Sequence, residues 1–329
     1  MRNFCTYFDH RYVPRALALY ESFRRLGLEF RLFALCMDEI SFAELNKAGR
    51  PGLIPIAVED FERGDTALQE AKQNRSHAEY FFTCTPSLCL YVLRRFSEVE
   101  LLTYLDADLY FYSSPEPLFA ELGSASIGIV EHRYSPRSRH YVKYGIYNVG
   151  WLSFRADPAG FACIQWWRER CLEWCYDRLE GNRFADQKYL DDWPTRFVGV
   201  RVLRHKGANV ACWNLVTNQV LWRKEQVWID EQPLIFFHFT GVKEIRPYLY
   251  QTGLAVHRIL PNWTVRQYIF GPYIHHLKQL SLGRDPTGKQ RLSPDKRFRS
   301  LLGTLRNVAR LLRRILCWDY LFVFGRRVY

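Results

Sequence analysis

Nine cysteines are spread through the 329 residues without one C-x-x-C pair, so a structural zinc of the usual spacing is not expected. No glycine-rich phosphate loop stands near the N-terminus, which leaves a nucleotidyltransferase reading without its usual motif. No uncharged stretch reaches the ~20 residues that a helical membrane span needs. The opening MRNFCTYFDHRYVP starts as a strand pattern and has no cleavable hydrophobic segment. Together with the odd cysteine count, that predicts reduced, buried thiols in a cytoplasmic protein. Internal repeats and low-complexity segments are also missing.

What is present is apolar and aromatic: 48% hydrophobic residues, with ten Trp, twenty Tyr and twenty-three Phe. That suffices for one large α/β core and an appendage. Most of these rings are expected to fill the core, and some suit flat ligands such as bases and sugars. The formal charge of +12 is uneven. Residues 289–329 hold eleven Lys and Arg against Asp295 and Asp319, a net +9, which leaves the rest of the chain at +3.

Along the chain, strand patterns alternate with helical ones. Strands are expected at Arg2 to Phe8, Phe30 to Met37, Ile54 to Val58, Ser126 to Val130, Tyr147 to Phe154, Phe197 to Leu203 and Leu234 to Phe239, with another at Leu101 onward. Helices are expected from Pro14 to Leu26, over most of Gly64 to Phe96, from Gly160 to Leu179 and from Ala185 to Asp192. Such alternation predicts a doubly wound, mostly parallel sheet flanked by helices, with ligands at the carboxyl ends of its strands. The body is expected to end near residue 255. Residues 256–329 then form a basic, aromatic helical extension, with a linker at Ser281 to Pro294 and an amphipathic helix at Arg299 to Leu316.

The stretch LLTYLDADLYFYSSP ends an apolar run in Asp106-Ala107-Asp108. On a strand, residues i and i+2 share a face, so the two carboxylates are expected to converge. Like charges that close repel unless a cation lies between them. A hard divalent ion held by oxygens, with room for phosphate oxygens, resolves the conflict.

LDADLYFYSSPEPLF resembles the DxD segment of GT-A-fold, nucleotide-sugar-dependent glycosyltransferases, most closely family 8 and its bacterial relatives. Four further segments occur in that family's order. Thr6-Tyr7-Phe8-Asp9-His10-Arg11-Tyr12 is similar to its opening strand and D-x-x-Y turn. The resemblance implies that backbone groups at Thr6 and Tyr7, with Asp9, read a uracil on which Tyr12 stacks. Tyr147-Asn148-Val149-Gly150 is similar to its F-N-x-G strand, where Asn148 meets sugar hydroxyls and Gly150 permits a close approach. Ala185-Asp186-Gln187 resembles its D-Q helix start, placing Asp186 at sugar hydroxyls and Gln187 near the anomeric carbon. Phe237-His238-Phe239-Thr240-Gly241-Val242-Lys243 resembles the segment in which a histidine completes the metal site and a lysine meets the diphosphate. Lys243 follows Gly241 one residue sooner than in that family's H-x-x-G-x-x-K. The cation expected in the helix before the DxD is replaced by Thr85-Pro86, and Lys72 or Arg75 is the substitute.

The resemblance therefore implies a GT-A-like α/β domain over residues 1–255. Asp106, Asp108 and His238 would be its metal ligands, with Mn²⁺ favoured over Mg²⁺ by the imidazole. Thr6, Tyr7, Asp9, Tyr12, Arg75, Asp106, Ala107, Asn148, Gly241 and Lys243 would bind the donor, and Asp186 and Gln187 would act at the reacting centre. The implied reaction moves a hexose from a UDP-sugar to a glycan or lipid-linked acceptor, with retention and without a protein nucleophile. The basic tail is expected to dock on an anionic membrane surface at the cytoplasmic face. Two other classes stay open: a sugar-phosphate nucleotidyltransferase, and a nucleic-acid or anionic-surface binder. The second accounts for the tail but for neither the carboxylates nor the near-neutral body, so no nucleic acid is expected.

Overall fold

Residues 1–246, 248–281, 319–324 and 327–328 are described by a computed structural model. Strands β1 (Arg2–Phe8), β2 (Phe30–Cys36), β3 (Leu53–Ala57), β4 (Leu101–Leu105), β5 (Leu109–Phe111), β6 (Ile127–Glu131), β7 (Tyr147–Arg155) and β8 (Val200–Leu203) come first. Between them run α1 (Val13–Arg25), α2 (Glu39–Ala48), α3 (Val58–Glu62), α4 (Thr66–Asn74), α5 (His77–Arg95), α6 (Glu116–Leu122), α7 (Pro158–Glu173) and α8 (Trp193–Arg196). Short strands follow: β9 (Val210–Ala211), β10 (Val220–Arg223), β11 (Gln226–Ile229), β12 (Gln232–Pro233), β13 (Phe236–His238), β14 (Lys243–Arg246) and β15 (Leu249–Gln251). Helix α9 (Gly271–Ser281) and strands β16 (Tyr320–Phe324) and β17 (Arg327–Val328) complete the described chain.

The central sheet has the order β3-β2-β1-β4-β7-β6-β8. All neighbours are parallel except β7, which runs against both β4 and β6. The expected mostly parallel, helix-flanked α/β sheet is what the chain forms. Alternation along the strands builds two faces. Cys5, Phe33, Tyr104 and Leu152 point toward α5 and α7, where Leu88, Cys163 and Trp167 meet them. Phe4, Leu32, Leu105 and Trp151 point the other way, toward Leu19 and Phe23 of α1 and Leu118 of α6. Trp151 stacks on Phe236 at 5.5 Å between centroids, which joins β13 to the main sheet.

Local signals explain several boundaries. The helical stretch expected over Gly64 to Phe96 is broken at Arg75, because Ser76 and Glu79 form a reciprocal capping box that starts α5. Asp38 caps α2 by accepting from the Ser41 amide at 2.8 Å. Helix α7 stops at Glu173, short of the expected Leu179, where Trp174 turns extended. Helix α9 packs on α1, with Tyr273, Ile274 and Leu277 in one core with Phe237, Phe239 and Ala18. The eight described cysteines are free and buried, as expected. No helix among the described residues is long and apolar enough to cross a membrane. The linker and the amphipathic helix expected at Ser281 to Pro294 and Arg299 to Leu316 fall almost wholly on residues 282–318, outside the described residues, and with them the proposed membrane contact.

Candidate active site

The chain order brings five segments to one edge of the central sheet. The turns after β1, β2, β4 and β6 leave from that edge, and the antiparallel β7 enters there. Asp9, Asp38, Asp106, His132 and Asn148 therefore gather at the carboxyl ends of the parallel strands.

The carboxylate pair converges by a different route from the one expected. Strand β4 ends at Leu105, and Asp106-Ala107-Asp108 form a tight turn closed by Leu109 N–H donating to the Asp106 carbonyl at 3.2 Å. Ala107 faces inward, packed with Phe8, Val13 and Ala16, which leaves both acids on the open side. The turn leads into β5, which pairs antiparallel with β13 so that Leu109 faces His238. The Phe239 amide donates to the Asp108 carbonyl at 3.0 Å and locks that register. As a result Nε2 of His238 lies 3.1 Å from Oδ1 of Asp108 and 3.4 Å from Oδ2 of Asp106.

These three residues offer ligand atoms within 4.8 Å of one another, the set a divalent ion needs for partial coordination. Burial, reinforced by the nearby Asp108, holds Asp106 above the usual carboxylate range. Burial also acts on Asp108, but His238 and Arg15 outweigh it and hold Asp108 below that range. His238 is pulled down by burial and pushed up more by Asp108 and Asp106, so its net direction is upward. Its Nδ1 is buried with no hydrogen-bond partner among the described residues, and its ring is packed edge-on against Trp213. A Cβ at Gly150 would stand 3.0 Å from this imidazole, so the glycine's close approach is to His238.

Behind Asp106 lies a buried hydroxyl chain. Tyr104 donates to Asp106 Oδ1 at 2.9 Å, and its ring lies 5.8 Å from that of Tyr7. The Tyr7 hydroxyl meets Thr85 Oγ1 at 3.2 Å, and Thr85 donates to Asp186 Oδ2 at 2.9 Å. Burial, opposed by Thr85 and aided by Asp106, raises Asp186 to about 7. Ala185 precedes it at a φ of +45°, a left-handed conformation uncommon outside glycine, which turns Asp186 inward. Trp167 Nε1 donates to the Asp186 carbonyl at 2.9 Å and fixes the turn to α7.

The other residues singled out from the sequence are distributed as follows. Tyr12 is exposed at the N-terminus of α1, with the Arg15 guanidinium 4.4 Å from its ring centre. Asp9 is buried and bound by Arg11, through the backbone amide at 3.0 Å and through the guanidinium. Thr6 is buried in β1, its hydroxyl without a hydrogen-bond partner among the described residues. Asn148 spends its oxygen on the Gly150 amide at 3.0 Å and one amide donor on His132 Nε2 at 3.1 Å. His132 is held down to about 3 by burial, so it stays neutral, with Nδ1–H donating to the Ile146 carbonyl. Gln187 donates to the Tyr144 carbonyl at 3.2 Å and backs the 139–145 turn. Gly241 sits at a φ of +85° in the turn to β14, and Lys243 opens that strand, exposed.

Arg75 spends its donors on the end of α7. Its guanidinium reaches the Tyr176 hydroxyl at 2.7 Å and the Leu172 carbonyl at 3.0 Å, stacked on the Tyr176 ring. It closes the C-terminal end of α7, where free carbonyls attract a cation. Lys72 is likewise taken, paired with Glu62 at 2.7 Å. Residues at the site that were not singled out from the sequence include Asp38, Thr85, Tyr104, His132 and Arg15. For Tyr104 a signal existed, since it stands two positions before Asp106 on the same strand.

Comparison with known proteins matches this architecture. No protein-family model matches the chain. Among solved structures, the galactosyltransferase LgtC in complex with donor and acceptor sugar analogs superposes with a TM-score of 0.55, covering 86% of this chain and 98% of that one at 15% identity. An active-site mutant of LgtC gives 0.50 at 16% identity, over 75% of this chain and 89% of that one. At such identity the likeness establishes the fold, which is GT-A. Two proteins of Bacillus subtilis (strain 168) are closer in sequence. The uncharacterised protein YfnD is 30% identical over 280 residues, 84% of this chain and 89% of its own length. The uncharacterised protein YfnF is 30% identical over 303 residues, 89% of this chain and 95% of its own length. With such identity over nearly the whole of all three chains, the protein belongs to the family of YfnD and YfnF.

Proposed function

We propose that the protein is a metal-dependent glycosyltransferase that moves a hexose from a UDP-sugar to a hydroxyl of a glycan or lipid-linked acceptor, with retention of configuration. The observation that carries this reading is the convergence of Asp106, Asp108 and His238 at the sheet edge that also bears Tyr12 and Asp186. The donor set, two carboxylates and an imidazole, fits a divalent ion of the Mn²⁺ type better than Mg²⁺. When bound there, such an ion supplies Lewis-acid charge to a departing diphosphate.

The chain's own residues do the rest. Tyr12 offers an exposed ring for a base, beside a turn that Asp9 and Arg11 hold rigid. Lys243 and the turn at Gly241 lie in the segment that follows His238 and would meet the diphosphate. Asp186, kept protonated to about 7, can both donate to and accept from sugar hydroxyls. Gln187 holds the 139–145 turn over that side. In a front-face displacement, the acceptor oxygen bonds to the anomeric carbon as the bond to the phosphate oxygen breaks. The acceptor's proton passes to that departing oxygen. No protein carboxylate need then attack, and Asp186 and Gln187 position and stabilise. The net +9 of residues 289–329 suits an anionic surface that carries a lipid-linked acceptor.

The test is hydrolysis of UDP-hexoses in the presence of Mn²⁺. Turnover that is lost in Asp108→Ala supports the reading. Failure of the wild-type protein to bind any nucleotide sugar ends it.

A further inference from the structure

Arg15 stands where three parts of the pocket meet. Its guanidinium covers the Tyr12 ring at 4.4 Å, and its Nη2 donates to the Val242 carbonyl at 2.8 Å. It therefore ties the turn after β1 to the turn after β13, the two segments that flank Asp108. Tyr273 of α9 lies against it from beneath, under the influence of both Arg15 and Asp108. The charge of Arg15 also reaches Asp108, after burial and His238.

Arg2, Arg11, Arg31, Arg50 and Arg168 are each bound to a carboxylate. Arg15 is half-buried, and among the described residues it has no ion pair. The Val242 carbonyl takes one of its five donors and the Tyr273 hydroxyl lies against another, which leaves donors on the planar guanidinium for phosphate oxygens. A half-buried guanidinium with spare donors beside a metal-type acid pair is a receptor for an anion.

We propose that Arg15 binds the diphosphate of the nucleotide donor, joining it to the base-stacking Tyr12. This rests on the nucleotide-sugar reading above. Arg15 then supplies a phosphate contact near Asp108, and that role needs no cation in α5. The same arginine sets the angle of Tyr12, so one residue reads the diphosphate and holds the base platform.

The experiment is calorimetric titration of the full-length protein with Mn²⁺ and, in parallel, UDP, GDP and ADP, followed by the monophosphate and nucleoside of whichever binds most tightly. Arg15→Met and Arg15→Lys are compared with wild type, their folding checked by thermal melting. Arg15→Met should lose about 10- to 100-fold in affinity for the nucleoside diphosphate and less than about threefold for the nucleoside, with partial recovery in Arg15→Lys. Equal losses for diphosphate and nucleoside overturn the proposal, because they make Arg15 a prop for Tyr12 alone. An unchanged diphosphate affinity in Arg15→Met overturns it too, while leaving the transferase reading intact. Lack of diphosphate binding by wild type removes both.

Discussion

Gly150 and His238 are in contact across two sheets, with no space for a side chain between them: a Cβ on Gly150 would lie 3.0 Å from Cε1 and Nδ1 of the imidazole. The same Cβ would lie 2.6 Å from Asn148 Oδ1, which accepts from the Gly150 amide. The glycine in β7 thus sets how far His238 can retreat from the two aspartates. Gly150→Ala is expected to push the imidazole off its position while leaving both carboxylates in place. Displacing a supporting group of a metal ligand costs roughly 10- to 100-fold in metal affinity. Titrating Mn²⁺ into Gly150→Ala should reveal that loss, and an affinity within about threefold of wild type would disprove the constraint.

Metal removal gives the second prediction. Burial, with a smaller contribution from Asp108, disfavours the charge on Asp106, and His238 offsets this only in part. Mn²⁺ should therefore raise the melting temperature, and a chelator should reverse the shift. A ligand at a hundred times its dissociation constant stabilises by about 2.7 kcal/mol. In Asp108→Asn one anionic ligand and part of the repulsion go together. Because Asp108 also pairs with His238, that variant should melt at or below the wild-type temperature in chelator and gain little from Mn²⁺. Equal gains in both proteins would move the ion elsewhere.

The third concerns Asp186, raised from 3.8 to about 7 mainly by burial. Below pH 4 both folded and unfolded states hold the proton, so there is no effect. Between pH 4 and 7 the unfolded chain releases it while the folded chain keeps it, and stability falls as pH rises. Above pH 7 the loss is complete, on the order of 4 kcal/mol. Asp186→Asn carries no such proton. Urea unfolding in chelator should show wild type losing stability relative to Asp186→Asn as pH climbs from 4 to 8. Parallel profiles would mean that Asp186 titrates normally. Thr85→Val, which removes the hydroxyl that favours the carboxylate, should carry the decline to higher pH.

How much of this was legible in the sequence depended on sequence distance. The central sheet was, because alternating strands and helices are local patterns; Asp106 and Asp108 stood out as costly carboxylates after an apolar run, and His238 came through the family resemblance. The convergence of the acids was attributed to strand alternation, yet the turn after Leu105 and the pairing of β5 with β13 produce it. That pairing joins residues about 128 positions apart, and three-residue strands carry no periodicity to announce it. Thr85 was passed over because a buried threonine in a helix looks like core. Its hydroxyl matters only through Asp186, a hundred and one residues away. Asn148 was legible as a polar residue needing partners, but sequence could not say that His132 and Gly150 supply them.

Arg75 is the opposite case and yields the last prediction. It was a phosphate candidate because the helix before the DxD lacked a cation. The capping box at Ser76 instead turns the chain so that Arg75 points at the end of α7. There the guanidinium satisfies carbonyls that the helix cannot pair internally, and lies 4.2 Å from the Tyr176 ring centre. Arg75→Met keeps most of the packing and removes the charge and donors. It should cost about 1–3 kcal/mol of stability by leaving buried carbonyls unpaired. Nucleoside diphosphate affinity should stay within about twofold of wild type, in contrast to Arg15→Met. Guanidinium unfolding and calorimetry on the same preparations separate the two arginines. A stable Arg75→Met with weakened diphosphate binding would return Arg75 to the site.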